Sequence, residues 1–441
     1  MPIFKASVIR KIAIFLAAAM LSFSAVAANF NENQRLANQG NASAQYNLGV
    51  MYYKGEGVLR DNTKAFEWFQ KAASQGNTKA QFNIEAMLNN GTATRQDNIK
   101  ATSQDFAEEQ YLQGVIYYDG LGVKQDYAKA AEFFRKAANQ GHDESQYNLG
   151  VMYNNGQSVK KDYAKSAEWY QKAANQGHNS ARSNLGIMYA KGEGVKKDYA
   201  KAAELFRKAA NQGHDESQYN LGVMYAKGEG VRQDYAQAAQ WYEKAAGQGH
   251  IKAQYFLGIL YFKGEGVKQD YAKSAEWYQK SADQDDADAQ FHLGVMYENG
   301  LGVRQDSTIA KSWQQRSANK GHAGAQYILG LTYHSGKSVR QDYAQAAQWY
   351  QKSANQGFAD AQFNLGKMYH KGEGVKQNIV KAAQWYEKAA KQDHTDSQLI
   401  LGVLYMKGEG VGKNRATAKE WFGKACDNGL KKGCEGYRIL N

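Results

Sequence analysis

Cys426 and Cys434 are the only thiols in this 441-residue chain, and they lie eight positions apart on either side of Gly429. A turn predicted at that glycine places one cysteine on each of the two helices that flank it. In an oxidising compartment, two cysteines at such positions are expected to form a disulfide. A pair of free catalytic thiols is the alternative chemistry for these two side chains.

Six of the nine histidines share one recurring position, directly after a predicted turn, and imidazole is a common metal ligand. They are His142, His178, His214, His250, His322 and His394. Equivalent side chains on packed neighbouring helices lie about 10 Å apart, whereas the ligands of one metal ion lie about 2 Å from it. We therefore expect no metal site. The recurring Gly-x-Gly segments are interpreted as turns between helices, so no cofactor is expected either.

Other patterns typical of catalytic or ion-binding sites are incomplete. Ser317 and Lys320 match the Ser-x-x-Lys motif of penicillin-recognising enzymes, but the companion motifs of those enzymes are absent from the sequence. The acidic run from Asp283 to Asp288 lacks the glycine and the terminal glutamate of a calcium-binding loop. The sequence therefore predicts no catalytic residue.

A recurring Leu-Gly pair indicates the framework that must position all of these side chains. Its glycine recurs every 36 residues without a slip from Gly114 to Gly402. A fixed period of this length is typical of solenoid proteins, in which each unit is stabilised by its neighbours. Because the only proline is Pro2, no proline-rich linker interrupts the array.

Residues 137–177 illustrate one unit. Apolar residues at helical spacing predict a first helix that ends at Gly156, and Asp162 is placed to cap a second helix that ends near Gly177. We call the two antiparallel helices of a unit helix A and helix B, and each should have about 12–16 residues. Helices this short are unstable alone. The all-α hairpins are therefore expected to stack into a right-handed α/α superhelix.

The first 27 residues have the composition of a secretory signal peptide. Three cations and no acid precede the apolar stretch Ile12–Ala25, and Ala25 and Ala27 match a cleavage site. We expect a periplasmic or secreted mature protein with no transmembrane segment. The formal net charge of +12 favours acidic partners or anionic surfaces, and export argues against nucleic acid as a partner.

The recurring residues resemble the Sel1-like repeat family, a relative of the tetratricopeptide repeats. Residues 253–267 read Ala-x-x-x-Leu-Gly-x-x-Tyr-x-x-Gly-x-Gly-Val, the acidic cap Asp270 follows, and residues 275–280 read Ala-Glu-Trp-Tyr-Gln-Lys. The resemblance covers about residues 41–429 and implies about eleven hairpins in an α/α superhelix. It also implies a non-enzymatic scaffold that binds other proteins.

The expected domain boundaries follow from this match. They are a signal peptide at 1–27, an N-terminal cap at 28–40, the repeat array at 41–429 and a C-terminal capping helix at 430–441. The second repeat, about residues 77–105, is irregular, because Glu85 replaces the recurring glycine and the following stretch is seven residues short. This irregular repeat is expected either to bend the array or to be a tolerated deletion. We expect one fused helix across Gln104–Tyr117.

By the same resemblance, helix A lines a concave groove that receives a partner. The groove-facing aromatic positions, which we call the first row, are Tyr147, Tyr219, Tyr255, Phe291, Tyr327 and Phe363. Seven residues further along helix A, a second position changes its residue type from unit to unit. Its candidates for specificity, which we call the second row, are Phe262, Glu298, His334 and His370. Neutral variation of an unused surface is the alternative.

Together these patterns favour a monomeric, exported scaffold that binds a protein or peptide in the bacterial envelope. Basic side chains recur in helix B and in the loops, which favours an acidic protein or an anionic envelope glycan as partner. The helix-B row comprises Lys136, Lys172, Lys208, Lys244, Lys280, Arg316, Lys352, Lys388 and Lys424. The rival function is peptidoglycan or β-lactam binding and hydrolysis, as in cysteine-rich Sel1-like relatives. A mainly structural spacer is the third possibility.

Overall fold

A computed structural model describes residues 30–80, 83, 107–108, 110–121, 123–337 and 339–440. Within these ranges the chain consists of helices and short loops, without strands. The predicted signal peptide lies outside the described residues, as does most of the irregular repeat at 77–105. In the segment Gln104–Tyr117, the described residues 107–108 and 110–117 are helical.

The chain divides into two compact units, Met1–His178 and Asn179–Asn441. In the first unit, the A helices are Ala42–Lys54, residues 110–119 and Asp143–Asn155, and the B helices are Asn62–Ala73, Tyr127–Asn139 and Tyr163–Asn175. In the second unit, the A helices are Asn179–Lys191, Asp215–Lys227, Ile251–Lys263, Ala287–Asn299, Ala323–Ser335, Ala359–Lys371 and Thr395–Lys407. Its B helices are Tyr199–Asn211, Tyr235–Gly247, Tyr271–Asp283, Ser307–Asn319, Tyr343–Asn355, Ile379–Ala390 and Arg415–Asp427. Residues 30–38 and Lys431–Ile439 are also helical.

Local capping sets the length of each helix. Helix A at Asp143–Asn155 has 13 residues and ends at Gly156, whose φ of 72° lies in the left-handed region that glycine tolerates. The next helix B begins after Asp162, whose carboxylate accepts a hydrogen bond from the backbone N–H of Lys165. The helical hairpin predicted from the sequence is therefore confirmed. In the second unit, every helix from Asn179–Lys191 to Arg415–Asp427 packs on the one that follows it.

The recurring Leu-Gly pair has a packing explanation. The leucine is buried wherever it occurs, as Leu221 is with no exposed surface, and the glycine faces an aromatic ring of helix B in every described repeat except that of Gly294. A Cβ atom built on Gly222 would lie 2.6 Å from Cδ1 of Tyr242, which is closer than side chains can approach. The glycine therefore lets helix A and helix B come together around a buried ring.

Buried glutamines connect successive repeats. The Gln218 side chain is 5% exposed, and its Nε2 donates to the carbonyl of Ala210 at 3.1 Å. Its Oε1 accepts a hydrogen bond of 2.7 Å from Nε2 of Gln248, thirty residues later. A buried amide without partners is costly, so both hydrogen bonds are needed. They link the turn after one helix B to the helix A that precedes it. Gln254 and Gln284 repeat the same arrangement.

Candidate functional site

The first-row rings are half-buried, and most of them stack against the residue that caps the next helix A. Tyr147 stacks on His178 with ring centroids 4.6 Å apart in the first unit, and Tyr219 stacks on His250 at 4.7 Å in the second. Phe291 stacks on His322 at 4.4 Å and Phe363 on His394 at 4.5 Å, whereas the ring of Tyr327 is tilted against that of Phe358, with centroids 5.1 Å apart. One face of each of these rings is therefore used to join repeats.

The recurring histidine has a role that the sequence analysis missed. His250 precedes helix Ile251–Lys263, and its Nδ1 accepts a hydrogen bond of 3.1 Å from the backbone N–H of Ala253. Its Nε2 lies 3.2 Å from Oε2 of Glu216 on the preceding helix A. Because Nδ1 is an acceptor, Nε2 carries the proton and donates it to the carboxylate. Asp286, a residue type that often caps helices, occupies the same position one repeat later. Its presence there was the signal in the sequence that this position caps helix A.

Burial and the histidine contacts shift the pKa values on this face. Burial raises the pKa of Tyr255 to about 12 and raises that of Tyr327. These phenols therefore stay protonated at neutral pH and are poor nucleophiles or bases. The hydrogen bond from His250 lowers the pKa of Glu216, against the opposing effect of burial. Glu216 is thus ionised at neutral pH, which strengthens the hydrogen bond that it accepts from His250.

The second row lies two helical turns beyond the first row, so both rows share one face of helix A. All four side chains are half-buried, and their surroundings differ. Phe262 makes an edge contact with Tyr271 at 5.2 Å between ring centroids. Oε1 of Glu298 lies 3.6 Å from Nζ of Lys337. Nε2 of His334 lies 3.5 Å from Oε2 of Glu373.

Within the described ranges, no group of three or more His, Cys, Asp or Glu side chains is arranged to hold a metal ion. The acidic run is instead occupied by protein contacts. Asp286 accepts the backbone N–H of Ala289 as a helix cap, and its Oδ2 lies 2.7 Å from Nζ of Lys252. The same ammonium group lies 3.0 Å from Oδ2 of Asp288. This cluster therefore pairs its carboxylates with a lysine of the preceding helix A.

Seven of the nine side chains of the helix-B basic row lie over a tryptophan ring. Nζ of Lys280 is 4.0 Å from the ring centroid of Trp277 and 2.7 Å from Oε1 of Glu276. The same cation–ring contact places Lys172 at 3.9 Å from Trp169, in the first unit. Three tryptophans, at 313, 349 and 421, are less than 10% exposed, whereas the other five are half-buried. These cations thus cover apolar rings as well as contributing positive charge.

The two cysteines lie on different helices at the C-terminal end of the second unit. Cys426 belongs to helix B at Arg415–Asp427, and Cys434 belongs to the terminal helix Lys431–Ile439. Their Cα atoms are 4.5 Å apart, and the side chains are joined as a disulfide. Gly433, in the terminal helix, is buried against Ala425. The disulfide therefore spans an already close helix contact.

None of the helices within the described ranges combines the length and the apolar composition required to cross a membrane.

Comparison with known proteins identifies the repeat. The sequence profile of the Sel1 repeat matches ten segments, at residues 42–77, at 110–142 and in eight consecutive blocks of 36 residues from 143 to 430. The sequence-based count of about eleven included the irregular repeat, but residues 78–109 lie outside these matches. No curated protein matches the chain.

Two solved structures support the same assignment. The crystal structure of a protective antigen present in uropathogenic Escherichia coli strains, which displays an SLR fold, is 35% identical and has a TM-score of 0.54. The match covers 93% of this chain and 90% of that one. The crystal structure of a Sel1 repeat protein from Oxalobacter formigenes is 34% identical over 72% of this chain and 92% of that one, with a TM-score of 0.57. The chain therefore belongs to the Sel1 repeat family of α-helical solenoid proteins.

Proposed function

We propose that this chain is an exported, non-enzymatic scaffold that binds a partner protein through the helix-A face carrying the first and second rows. Sel1 repeats generally mediate protein interactions. The second row carries the proposal, because one position holds a phenyl ring, a carboxylate and two imidazoles in four consecutive repeats. Variation of this kind within a repeated framework is suited to recognition of one partner.

The half-burial of these side chains supports the proposal. Phe262, Glu298, His334 and His370 are each held by neighbouring residues yet keep part of their surface accessible. A side chain that is already held in place loses less conformational entropy when a partner binds. The first-row rings, held on one face by the next cap residue, add apolar surface beside these variable groups.

Export is the second part of the proposal. It is supported by the signal-like residues 1–27 and by the paired Cys426 and Cys434, since disulfides persist in oxidising compartments. We propose that the mature chain begins at Ala28 and acts in the periplasm or outside the cell, where acidic proteins or anionic glycans could approach its basic surface. Intact-mass measurement of protein from the periplasmic fraction checks this. A chain that retains Met1–Ala27 would contradict cleavage.

Photo-crosslinking in the native cell tests the binding face. We place p-benzoylphenylalanine at position 298 or 334 of the second row. Matched controls carry it at position 312 or 348, which are exposed on helix B in the same two repeats. We expect one discrete crosslinked partner, identified by mass spectrometry, from the second-row probes and none from the control probes. Equal products from both rows would overturn the proposed binding face.

A substitution set completes the test. Alanine at Phe262, Glu298, His334 and His370 together should remove most of the product captured by a probe at Lys263, which is exposed next to the second row. The control set carries alanine at exposed helix-B residues of the same repeats, Glu276, Ser312, Gln348 and Gln384. Full retention of the product by the second-row set would show that these four side chains do not select the partner.

A further inference from the structure

A cavity of about 350 Å³ lies between two successive A helices and the B helix that separates them in the chain. The helices are Ala287–Asn299, Ser307–Asn319 and Ala323–Ser335, all in the second unit. Its apolar wall includes Val295 and Leu331, and Glu298 of the second row lies at its edge. Its volume falls at the lower end of the range of about 300–1,000 Å³ that is usual for ligand pockets.

The cavity exists because this repeat lacks rings that its neighbours have. Gln314 occupies the position of Tyr278 and Tyr350, each of which is 1% exposed in its own repeat. Ser307 stands where the preceding and following B helices begin with tyrosine. Gly294 is nevertheless kept, and the nearest atom to a Cβ built on it is Cγ of Gln314, at 2.9 Å. Two smaller side chains, Ser307 and Gln314, thus line the cavity at positions where neighbouring repeats have tyrosine rings.

A polar side chain of the intervening B helix lines this space. Gln314 is 8% exposed and lines the cavity. Among the residues that the structure describes, none is recorded as a hydrogen-bond partner of this amide, and its two polar atoms are not among the fully buried, unpartnered ones. By contrast, the neighbouring Thr332 hydroxyl donates to the carbonyl of Ile328 at 2.9 Å. The Gln314 amide therefore keeps contact with solvent and is available to a group that enters the cavity.

A cation stands beside the amide. Lys311 lines the cavity at a position where the adjacent repeats have Ala275 and Ala347, both buried. Within the described part of the chain, no carboxylate oxygen lies within 4 Å of the Lys311 ammonium group. Lys337, the other cation of the cavity, is already paired with Glu298. One positive charge at the site is thus left for an incoming anion.

We propose that this cavity receives the aromatic side chain of a partner polypeptide and that an adjacent acidic residue of the partner pairs with Lys311. The ring would occupy the space that a tyrosine fills in neighbouring repeats, and the Gln314 amide would hydrogen-bond to a phenol or to the partner backbone. The inference rests on the proposed function, because Glu298 belongs both to the cavity and to the second row.

Binding of a short probe to the full mature chain tests this inference. The probe is acetyl-Gly-Asp-Tyr-Gly-amide. Its binding is detected by saturation-transfer NMR, and its affinity is measured by titration. Filling the cavity with Gln314→Tyr, alone or with Ser307→Tyr, should weaken binding about tenfold or more, since it excludes an apolar side chain. These changes restore the residue types of neighbouring repeats, so circular dichroism should show an intact fold. Undiminished binding by a folded, filled variant would overturn the inference.

Charge recognition is tested separately. A second probe carries Asn in place of Asp. Lys311→Ala should weaken binding of the acidic probe about two- to fivefold, as expected for a partly exposed ion pair, and leave binding of the Asn probe unchanged. Lys273→Ala, at an exposed site on the preceding B helix, is the matched control and should change neither. Free N-acetyl-tyrosine binding as tightly as the peptide would overturn a polypeptide occupant. If crosslinking at positions 298 and 334 persists while the probe fails to bind, this inference fails and the proposed function stands.

Discussion

The imidazole of His250 lies nearly parallel to the phenol ring of Tyr219, with ring centroids 4.7 Å apart and an angle of 22° between the planes. The same imidazole caps helix Ile251–Lys263 and reaches Glu216 at 3.2 Å. One side chain thereby joins a helix terminus, an aromatic ring and a carboxylate on the preceding helix A. The contact makes Tyr219 part of the junction between repeats as well as part of the first row.

Replacing His250 should separate capping from stacking. His250→Ala loses the cap and the ring contact, and it should lower the free energy of unfolding by about 1–3 kcal/mol. His250→Asn keeps a side-chain acceptor for the Ala253 N–H, so its loss should be smaller, about 0.5–1.5 kcal/mol. Urea unfolding followed by circular dichroism measures both. Equal losses in the two variants would show that capping contributes nothing here.

The glycine of the Leu-Gly pair should resist even the smallest side chain. Gly222→Ala places a methyl group against the ring of Tyr242 and should destabilise the protein by about 1–3 kcal/mol, although alanine favours helix formation. Gly247→Ala is the matched control, because no atom beyond its local neighbours lies within 4 Å of the place that its methyl group would take. Thermal unfolding should show a lower midpoint for the first variant only; a neutral Gly222→Ala would refute the close-packing explanation.

Acid should weaken the junction between helices Asp215–Lys227 and Ile251–Lys263. The hydrogen bond from His250 lowers the pKa of Glu216 in the folded chain, so the carboxyl loses its proton more readily than in the unfolded chain. Its contribution to stability is therefore fully present above the unfolded pKa of about 4.3 and is lost as pH falls through the folded pKa. The stability difference between the native chain and Glu216→Gln should shrink between pH 6 and pH 3. A constant difference across this range would contradict the assignment.

Reduction of the disulfide should loosen the end of the array before the rest. A loop closed over eight positions contributes roughly 2–3 kcal/mol in the chain-entropy model. With no following repeat to pack on it within the described chain, the terminal helix Lys431–Ile439 depends on this link and on its contact with Arg415–Asp427. Cys434→Ser should speed hydrogen exchange there and leave Ala287–Asn299 unchanged. Unchanged exchange in the terminal helix would show that packing alone holds it.

Hairpin architecture was predictable because its signals are local or strictly periodic. Asp162 and the N–H it accepts are three residues apart, and Gly156 ends its helix through its own backbone angle. A recurrence of 36 residues then places every copy in an equivalent environment. The all-α class, the helix order and the disulfide partners could therefore be inferred from the amino-acid sequence.

Side-chain roles that depend on neighbouring repeats could not be inferred in the same way. The sequence shows His250 and Tyr219 as two recurring residues thirty-one positions apart, but their stacking requires the relative placement of two A helices. Likewise, Gln314 is visible as a departure from tyrosine, yet the sequence does not say whether neighbours collapse into the vacated volume. Local rules decide where helices begin and end, whereas packing among three helices decides which ring faces are covered and which spaces stay open.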